Sequence, residues 1–320
     1  MAGEGIGDEL RLNRWHRIRA VATVAYIGAL TWIFMDEGVP TGRLPLMLIT
    51  VVGLSIASLG YGWRRLVRVF VDWLPFTLVL MAYDQSRVVA TMVNLPLHEQ
   101  DIASAESWLF GGQIPAVWMQ DHFYTPAAVH WYDAVATLVY ASHFLATPAL
   151  AAVLWLRNRG IWLAYITRVV VLAFAGLVTY VLFPEAPPWL AARDGLIDPV
   201  ARTSARGWIW LHAGNVQEIL DSAQRDGANP VAAMPSLHVA FATLVALFIA
   251  PYIARRWRYL LALYPIAMGV VLVYTGEHYV LDLIAGVAYA LVINAVVSRW
   301  ERRRVDVALI DEVREPVTVG

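Results

Sequence analysis

Long apolar runs separated by short polar connections dominate the chain. A helix that crosses the ~30 Å hydrocarbon core of a bilayer needs about 20 mostly apolar residues, and eight runs approach that length. The third run is the weakest, because Asp72 and Pro75 interrupt it. The pattern predicts an all-α, polytopic membrane helical bundle of about eight spans, with six as the lower bound. The runs are Ile18–Phe34, Leu44–Tyr61, Phe70–Tyr83, Val129–Leu156, Trp162–Phe183, Ser236–Ile253, Tyr259–Tyr274 and Tyr279–Val297.

Composition agrees with this pattern and excludes several kinds of chemistry. The 320 residues are 59% hydrophobic and only 15% charged, which is too apolar for an ordinary soluble domain. The formal net charge of −1 gives no general basic field for nucleic acid. All 24 basic residues counted as Lys or Arg are Arg, and Cys is absent. The chain therefore has no Schiff-base lysine, thiol nucleophile, disulfide or cysteine-ligated zinc.

The arginines sort the connections into two sides. Sixteen of them lie before or at the very start of the first run or in every second connection after it, which is the positive-inside pattern of eight spans with both termini cytoplasmic. These are Arg11, Arg14, Arg17, Arg19, Arg64, Arg65, Arg68, Arg157, Arg159, Arg255, Arg256, Arg258, Arg299, Arg302, Arg303 and Arg304. Six fall on the outward side, namely Arg43, Arg87, Arg193, Arg202, Arg206 and Arg225.

Two long connections, Asp84–Ala128 and Pro184–Met234, also fall on the outward side. Connections of this length usually have a function, so the site is expected there. Within the first, Ala103–Gln120 is apolar but broken by Gly111-Gly112 and Pro115, which predicts an interfacial or re-entrant helix pair near the outer face. We divide the chain into an N-terminal part with two spans, a catalytic transmembrane domain and a cytoplasmic tail, covering residues 1–69, 70–298 and 299–320.

Two segments carry candidate chemistry at the outer level. Pro235 suits the first turn of a helix, which places Ser236 and His238 at a helix N-terminus, where free N–H groups favour an anion. His278 and Asp282 lie four residues apart at the start of the next outward-facing helix, and hence on one face. The eight-span topology brings both segments to the same side of the membrane.

These residues suit phosphoryl transfer through a phosphohistidine. His278 would attack phosphorus, Asp282 would hold its imidazole in the right tautomer, and His238 would protonate the leaving oxygen. A metal site is a rival use of two histidines and an aspartate, but the usual zinc spacings and a further ligand are missing. His143, near the middle of the fourth run, is interpreted as a structural hydrogen-bonding residue far from this site, and Arg168 as a snorkelling arginine.

The transferred phosphate also needs cationic and polar partners. Without lysine, the outer arginines are the only fixed side-chain cations available, and their planar fork suits phosphoryl oxygens. Arg87, which ends the run Tyr83-Asp84-Gln85-Ser86-Arg87, is the first choice. Tyr83 and Ser236 are further candidates for binding phosphate, and Arg193 and Arg206 are weaker ones.

At these positions the chain resembles the type 2 phosphatidic acid phosphatase superfamily. Pro235-Ser236-Leu237-His238 and His278-Tyr279-Val280-Leu281-Asp282 are similar to its two histidine motifs. The Leu before the first His and the run Tyr274–Tyr279 are more similar to the branch of the inositol phosphorylceramide and sphingomyelin synthases. Phe183–Trp189 and Leu109–Gly112 resemble segments of bacterial members. The resemblance implies a helical bundle with a site at the membrane surface, no metal or other cofactor, and the same roles for the three site residues.

The chain also departs from the phosphatase branch. That branch has an upstream Lys and Arg-Pro motif and an Arg shortly before the second His, whereas this chain has no Lys and carries Leu272 at the later position. The departure favours the synthase-like branch. We expect an enzyme of the bacterial plasma membrane with an outward-facing site, which transfers a substituted phosphate from a membrane lipid to an alcohol of the inositol or glycolipid type. A lipid phosphate phosphatase that uses water is the first alternative, and a transporter or flippase is the second; no nucleic-acid partner is expected.

Overall fold

The structure, a computed structural model, describes residues 2–36, 43–93, 95–213 and 229–314. All regular secondary structure in these ranges is helical. Two short 3₁₀ helices, Ala250–Tyr252 and Arg255–Ala262, follow the tenth α-helix. The α-helices are α1 Ala2–Asp36, α2 Arg43–Ser58, α3 Trp63–Val93, α4 Gln100–Leu109, α5 Pro115–Phe123, α6 Trp131–Arg157, α7 Arg159–Leu182, α8 Pro188–Arg193, α9 Gly207–Trp210, α10 Leu237–Ile249, α11 Leu263–Tyr274 and α12 Val280–Arg314.

Each of the eight apolar runs lies largely in helix, and the predicted all-α polytopic bundle is confirmed. Among the described residues, four helical stretches are long and apolar enough to cross a membrane, and two shorter apolar helices accompany them. The eight-span count remains a prediction. The four stretches are Trp131–Arg157, Arg159–Leu182, Arg255–Tyr274 and Val280–Arg304, and the shorter helices are Pro45–Ser58 and Leu237–Tyr252.

Helix α3 is longer than the third apolar run. It continues through Pro75 and ends at Val93. The polar residues Asp84–Arg87, at which the sequence suggested the start of a loop, therefore lie within the same helix. A proline inside a helix removes one backbone hydrogen bond. The large side chains on either side of it, Trp73 and Phe76, are both buried in the core between α3 and its neighbours. This apolar burial outweighs the lost hydrogen bond.

The connection 84–128, which the arginine pattern predicts to be on the outer side, contains the predicted pair of short helices. Helix α4 ends at Leu109, Gly111 and Gly112 both have positive φ, and Pro115 begins α5. The left-handed backbone that these two glycines adopt is readily accessible only without a side chain. The sequence signal for a break between two helices is therefore confirmed.

Helix α10 lies at the centre of the bundle, where it packs against α6, α7, α11 and α12. The start of α10 lies very close to α12 at Gly286. There is no room for a side chain there, since a Cβ on Gly286 would collide with the backbone carbonyl of Ser236. The Ser236 N–H donates to the Asp282 carbonyl over 3.0 Å. This close approach brings the starts of α10 and α12, and with them both histidine motifs, to one level.

Arg168 on α7 is buried rather than snorkelling, with 5% of its surface exposed. Its Nε donates to Asn294 Oδ1, and its two terminal nitrogens donate to the Ala164 carbonyl, Ser298 Oγ and both carboxylate oxygens of Glu301, over 2.6–3.0 Å. Three of these partners lie on α12, more than 120 residues away in sequence. The snorkelling interpretation was wrong because position along one helix does not show which polar residues a neighbouring helix offers.

Candidate active site

His278 lies in the turn between α11 and α12, and Asp282 lies in the first turn of α12. The two side chains are 5% and 0% exposed. His278 Nδ1 is 3.2 Å from Asp282 Oδ2, which also accepts the Tyr279 backbone N–H over 2.9 Å. A carboxylate at Nδ1 holds the proton on that nitrogen and leaves the lone pair on Nε2. The arrangement prepares His278 Nε2 to act as a nucleophile.

His238 approaches from the start of α10. Its Nδ1 is 3.4 Å from His278 Nε2, so the two imidazoles meet at the nitrogen that Asp282 leaves available. Helix α10 begins one residue before His238, at Leu237, with Ser236 as its N-cap and Pro235 just outside the helix. The predicted position of Ser236 and His238 at a helix N-terminus is confirmed. Because the side chain of Ser236 makes no capping hydrogen bond, it does not occupy the N–H groups of the first turn.

Glu106 of α4 caps the start of α12 from outside the helix. Its two carboxylate oxygens accept the backbone N–H groups of Val280 and Leu281, each over 3.1 Å. Glu106 is fully buried, and burial raises its pKa to about 7, with a further contribution from the charge of Asp282. The predicted outer helix pair is thereby tied directly to the helix that carries Asp282.

Glu277 precedes His278 and forms a second buried carboxylate beside the site. Arg202 Nε and one terminal nitrogen donate to its two oxygens over 2.9 and 3.0 Å, and Ser204 Oγ donates over 2.5 Å. Burial alone would raise the pKa of Glu277, but Arg202 and Ser204 lower it overall. Glu277 is thus an ionised group that fixes the turn carrying His278 to the second outer connection. Glu106 and Glu277 were not among the residues that the sequence pattern indicated; for Glu277, adjacency to His278 was the available signal.

Gln120 of α5 joins the same turn to both outer connections. Its Nε2 donates to the carbonyls of Ala201 and Tyr274 over 2.7 and 2.8 Å, and its Oε1 accepts the Ala201 N–H over 2.8 Å. The hydroxyl of Tyr274 donates to Asp133 on α6 over 2.6 Å. The end of α11, where the second motif begins, is therefore held from two sides by buried polar side chains.

His143 lies beside the candidate site, contrary to the sequence interpretation. Its ring centroid is 4.2 Å from that of His238, and the Tyr140 ring stacks on His238 at 5.1 Å. Tyr140 and His143 are about one turn apart on α6, so this face of α6 packs against the His238 side chain. Position along α6 alone could not show that the start of α10 packs against this face of α6.

The candidate phosphate-binding residues are in different situations. Arg206 donates to the carbonyls of Thr125, Pro126 and Ala128 over 2.6–3.2 Å. Arg193 is exposed and pairs with its neighbour Asp194 over 2.9 Å. The structure brings Ser236 together with the two histidines and Asp282, and it gives Arg193 and Arg206 other partners. The side chains of Tyr83 and Arg87, and all of Arg225, lie outside the described part of the chain.

Two histidines, a carboxylate that orients one of them and a helix N-terminus in an apolar bundle define a class of phosphoester enzymes of the membrane. The sequence profile of the PAP2 superfamily matches residues 100–296, and the chain belongs to this family. This range includes His238, His278 and Asp282, whereas Tyr83 and Arg87 precede it. The resemblance that the motifs suggested is confirmed.

A curated relative is also similar over most of the chain. The relative is the phosphoinositol dihydroceramide synthase of Bacteroides thetaiotaomicron. It is 28% identical to this chain over 257 residues, which cover 77% of this chain and 81% of the relative. No solved structure matches the chain. The chain is therefore an integral membrane enzyme that acts on lipid phosphoesters as a phosphotransferase or a hydrolase. Among the described residues, no group of three His, Asp or Glu side chains has the arrangement of a metal site.

Proposed function

We propose that the protein is a lipid phosphotransferase that works through a phosphohistidine at His278. The observation that carries the proposal is the position of the His278 imidazole. Its Nδ1 is 3.2 Å from Asp282 and its Nε2 is 3.4 Å from His238, so one ring nitrogen is held by a carboxylate and the other faces a second imidazole. This is the arrangement that a nucleophile, its orienting carboxylate and a general acid require.

In the first half-reaction, His278 Nε2 attacks the phosphorus of a phospholipid. The P–N bond forms, the P–O bond to the lipid alcohol breaks, and His238 gives its proton to the leaving oxygen. Asp282 stabilises the positive charge that develops on His278. The substituted phosphate stays on the enzyme, where its negative charge is met by the N-terminus of α10 beside Ser236.

In the second half-reaction, His238 takes the proton of an acceptor hydroxyl. The acceptor oxygen attacks phosphorus, the P–N bond breaks, and His278 returns to its neutral form. The printed name of the relative specifies a phosphoinositol group and dihydroceramide. We therefore propose a phosphoinositol-bearing lipid as donor and a lipid alcohol as acceptor. Water in the place of the alcohol would make the same enzyme a lipid phosphate hydrolase.

We further propose that the site faces outward, with both termini in the cytoplasm. The support is the concentration of sixteen arginines in alternate connections, since positive residues favour the cytoplasmic side. On this topology Arg87 and Tyr83 are on the outer side and remain our candidates for binding phosphate together with Ser236. Arg193 and Arg206 are weaker candidates, because Asp194 and three loop carbonyls already engage their guanidinium groups.

The test uses purified protein in lipid vesicles and a donor phospholipid labelled at phosphorus. We expect a covalent, acid-labile label on the wild type in the absence of acceptor, and its transfer to an added lipid alcohol such as dihydroceramide. His278→Ala should remove the label and lower turnover by at least about 10³-fold, because no other residue replaces the nucleophile. His16→Ala, which changes an exposed histidine of α1, is the control and should label normally.

Two results would contradict the proposal. Persistent labelling of His278→Ala would exclude this histidine as the nucleophile. Release of free phosphate or inositol phosphate at the same rate with and without dihydroceramide, with no new phospholipid, would assign the enzyme to the hydrolases. The first result bears on the residue and the second on the acceptor, so the two parts of the proposal are tested separately.

A further inference from the structure

Glu185 lies in the extended segment that leaves α7. On one side of this segment, the Glu185 N–H donates to the Val231 carbonyl over 2.9 Å. On the other side, His98 donates its N–H to the Pro184 carbonyl over 2.9 Å and accepts the Ala186 N–H over 3.0 Å. The side chain is fully buried, with 0% exposure. An ionisable side chain that is buried without exposure is expected to have a specific partner.

That partner is Asp282, the residue that orients His278. Backbone contacts bring the two residues together: Glu185 pairs with Val231 and Ala232, and Ser236, four residues after Ala232, donates its N–H to the Asp282 carbonyl. The side chains of Glu185 and Asp282 interact there. Oδ2 of Asp282 is occupied by His278 and by the Tyr279 N–H, whereas Oδ1 receives no N–H or O–H donor from the described residues. Both carboxyl oxygens of Glu185 also lack such a donor within the part of the chain that the structure describes. Because three of their four oxygens receive no donor from the other described residues, the two buried carboxyl groups remain together only if they share a proton.

Among the described residues, the charged groups that act on Glu185 are carboxyl groups, and no arginine pairs with it. Burial, followed by the charges of Asp282, Glu106 and Asp101, raises the pKa of Glu185 well above its usual range. The hydroxyl of Tyr279 is also buried in this region, and burial is the main reason why its pKa is raised. The titratable or charged groups around Glu185 are Glu106 and Asp101 from α4, His98 and Glu99 from the segment before it, Asp282 from α12, and His278 and Tyr279 from the preceding turn.

We propose that Glu185 is a positioning residue that remains protonated and donates its carboxyl proton to Asp282. The proposal deepens the function proposed above, since it concerns how Asp282 holds His278. The shared proton leaves one negative charge on the pair, at the oxygen that faces His278. Loss of that proton would place two negative charges behind His278, which would hold it as an imidazolium without a nucleophilic lone pair and would repel the phosphate.

The sign of the pH dependence follows from this arrangement. The working state has Glu185 protonated, so it is populated below the raised pKa of Glu185 and is lost as pH rises through that pKa. We expect turnover of the wild type to fall on the alkaline side. Glu185→Gln presents an amide N–H to Asp282 at every pH, and it should keep turnover within about 3-fold at neutral pH while losing the alkaline decline. Glu185→Met has a similar length and no donor, and its kcat should fall roughly 10- to 100-fold with little change in KM.

The experiment measures kcat and KM against pH for the wild type, Glu185→Gln and Glu185→Met in lipid vesicles. Retention of the wild-type alkaline decline by Glu185→Gln would overturn the proposal. Equal impairment of the Gln and Met variants at neutral pH would also overturn it. The rate would then not depend on whether the side chain at position 185 donates a hydrogen bond to Asp282. Thermal unfolding of each variant identifies a loss of activity that comes from loss of the folded protein.

A second measurement does not depend on turnover or on the phosphohistidine. The infrared spectrum of the wild type at neutral pH should contain the C=O stretch of a buried protonated carboxyl group that Glu185→Gln lacks. Glu106→Gln is the matched control, because it removes the other fully buried carboxyl group near Asp282 and should leave the Glu185 band in place. A spectrum unchanged by Glu185→Gln would contradict the shared proton. A missing band in Glu185→Gln would support it even if His278 proved not to be the nucleophile.

Discussion

Helices α7 and α12 are joined by buried charged groups at two levels, which we call the Arg168 end and the Asp282 end, and these groups are satisfied differently at the two levels. At one end, Arg168 of α7 directs all its polar hydrogens to acceptors, three of which lie on α12. At the other end, Glu185 follows α7 and faces Asp282 of α12, and three of their four carboxyl oxygens lack an N–H or O–H donor from the described residues. The two ends are roughly 20–25 Å apart along the helices.

The difference separates a structural polar cluster from a functional one. A buried charge whose hydrogen-bonding groups are all satisfied contributes to one defined packing of the two helices and has no capacity left for a substrate. A buried carboxyl pair in which three of the four oxygens receive no donor from the other described residues is unfavourable for folding, and it is typical of sites where proton affinities are adjusted for chemistry. The comparison predicts that changes at the Asp282 end affect mainly the rate, whereas changes at the Arg168 end affect mainly stability.

The largest expected effect is that of Asp282→Asn on the rate. The amide keeps the shape of the side chain but removes the charge that orients and stabilises His278, so kcat should fall by about 10³- to 10⁴-fold. The unfolding midpoint should remain close to that of the wild type, as measured by thermal unfolding in detergent. A near-normal kcat would show that Asp282 has no part in the mechanism. It would also contradict the expectation that changes at the Asp282 end affect mainly the rate.

Arg168→Met should have the next largest effect, and the effect should be on stability. The substitution leaves Glu301 without its bidentate partner. Removing one member of a fully buried ion pair costs about 3–5 kcal/mol, and because the Glu301 side chain is 32% exposed we expect a loss of roughly 2–3 kcal/mol of unfolding free energy. Turnover of the protein that remains folded should be unchanged. The double variant with Arg168→Met and Glu301→Met leaves neither charge behind and should recover most of the loss. A large fall in kcat without a change in stability would show that this end also serves the reaction.

Gly286→Ala should have the smallest effect of the three and should act on both properties. The added Cβ would collide with the Ser236 carbonyl where α10 and α12 meet, and overpacking of this kind costs about 1–3 kcal/mol. Because the collision displaces the start of α10, which carries His238, kcat should fall as well. Gly28→Ala on α1 is the control, since a Cβ there meets no atom within 4 Å. Equal results for the two variants would show that the close approach at Gly286 does not matter.

Local features of the fold could be predicted because they depend on residues close together in sequence. The apolar runs gave the positions of the long helices, and Gly111-Gly112 with Pro115 gave the break between α4 and α5. The placement of Ser236 and His238 at a helix start followed from Pro235, and the spacing of His278 and Asp282 placed them on one face. Helix α3 differed because the burial of Trp73 and Phe76 outweighs a proline whose effect is local.

Contacts between distant segments could not be predicted in this way. Three properties could be read from the order of the residues: the apolar runs indicated a helical membrane protein, the arginines indicated its orientation, and the two histidine motifs indicated a phosphoester enzyme. Only the tertiary structure placed His143 beside His238, joined Arg168 to Glu301 and set Glu185 against Asp282. Hydrophobic periodicity specifies which residues form a helix and whether they are apolar, whereas the pairing of buried polar groups depends on which helix faces meet and at what height. Those are decided by the packing of the whole bundle, including the approach of α10 to α12 at Gly286.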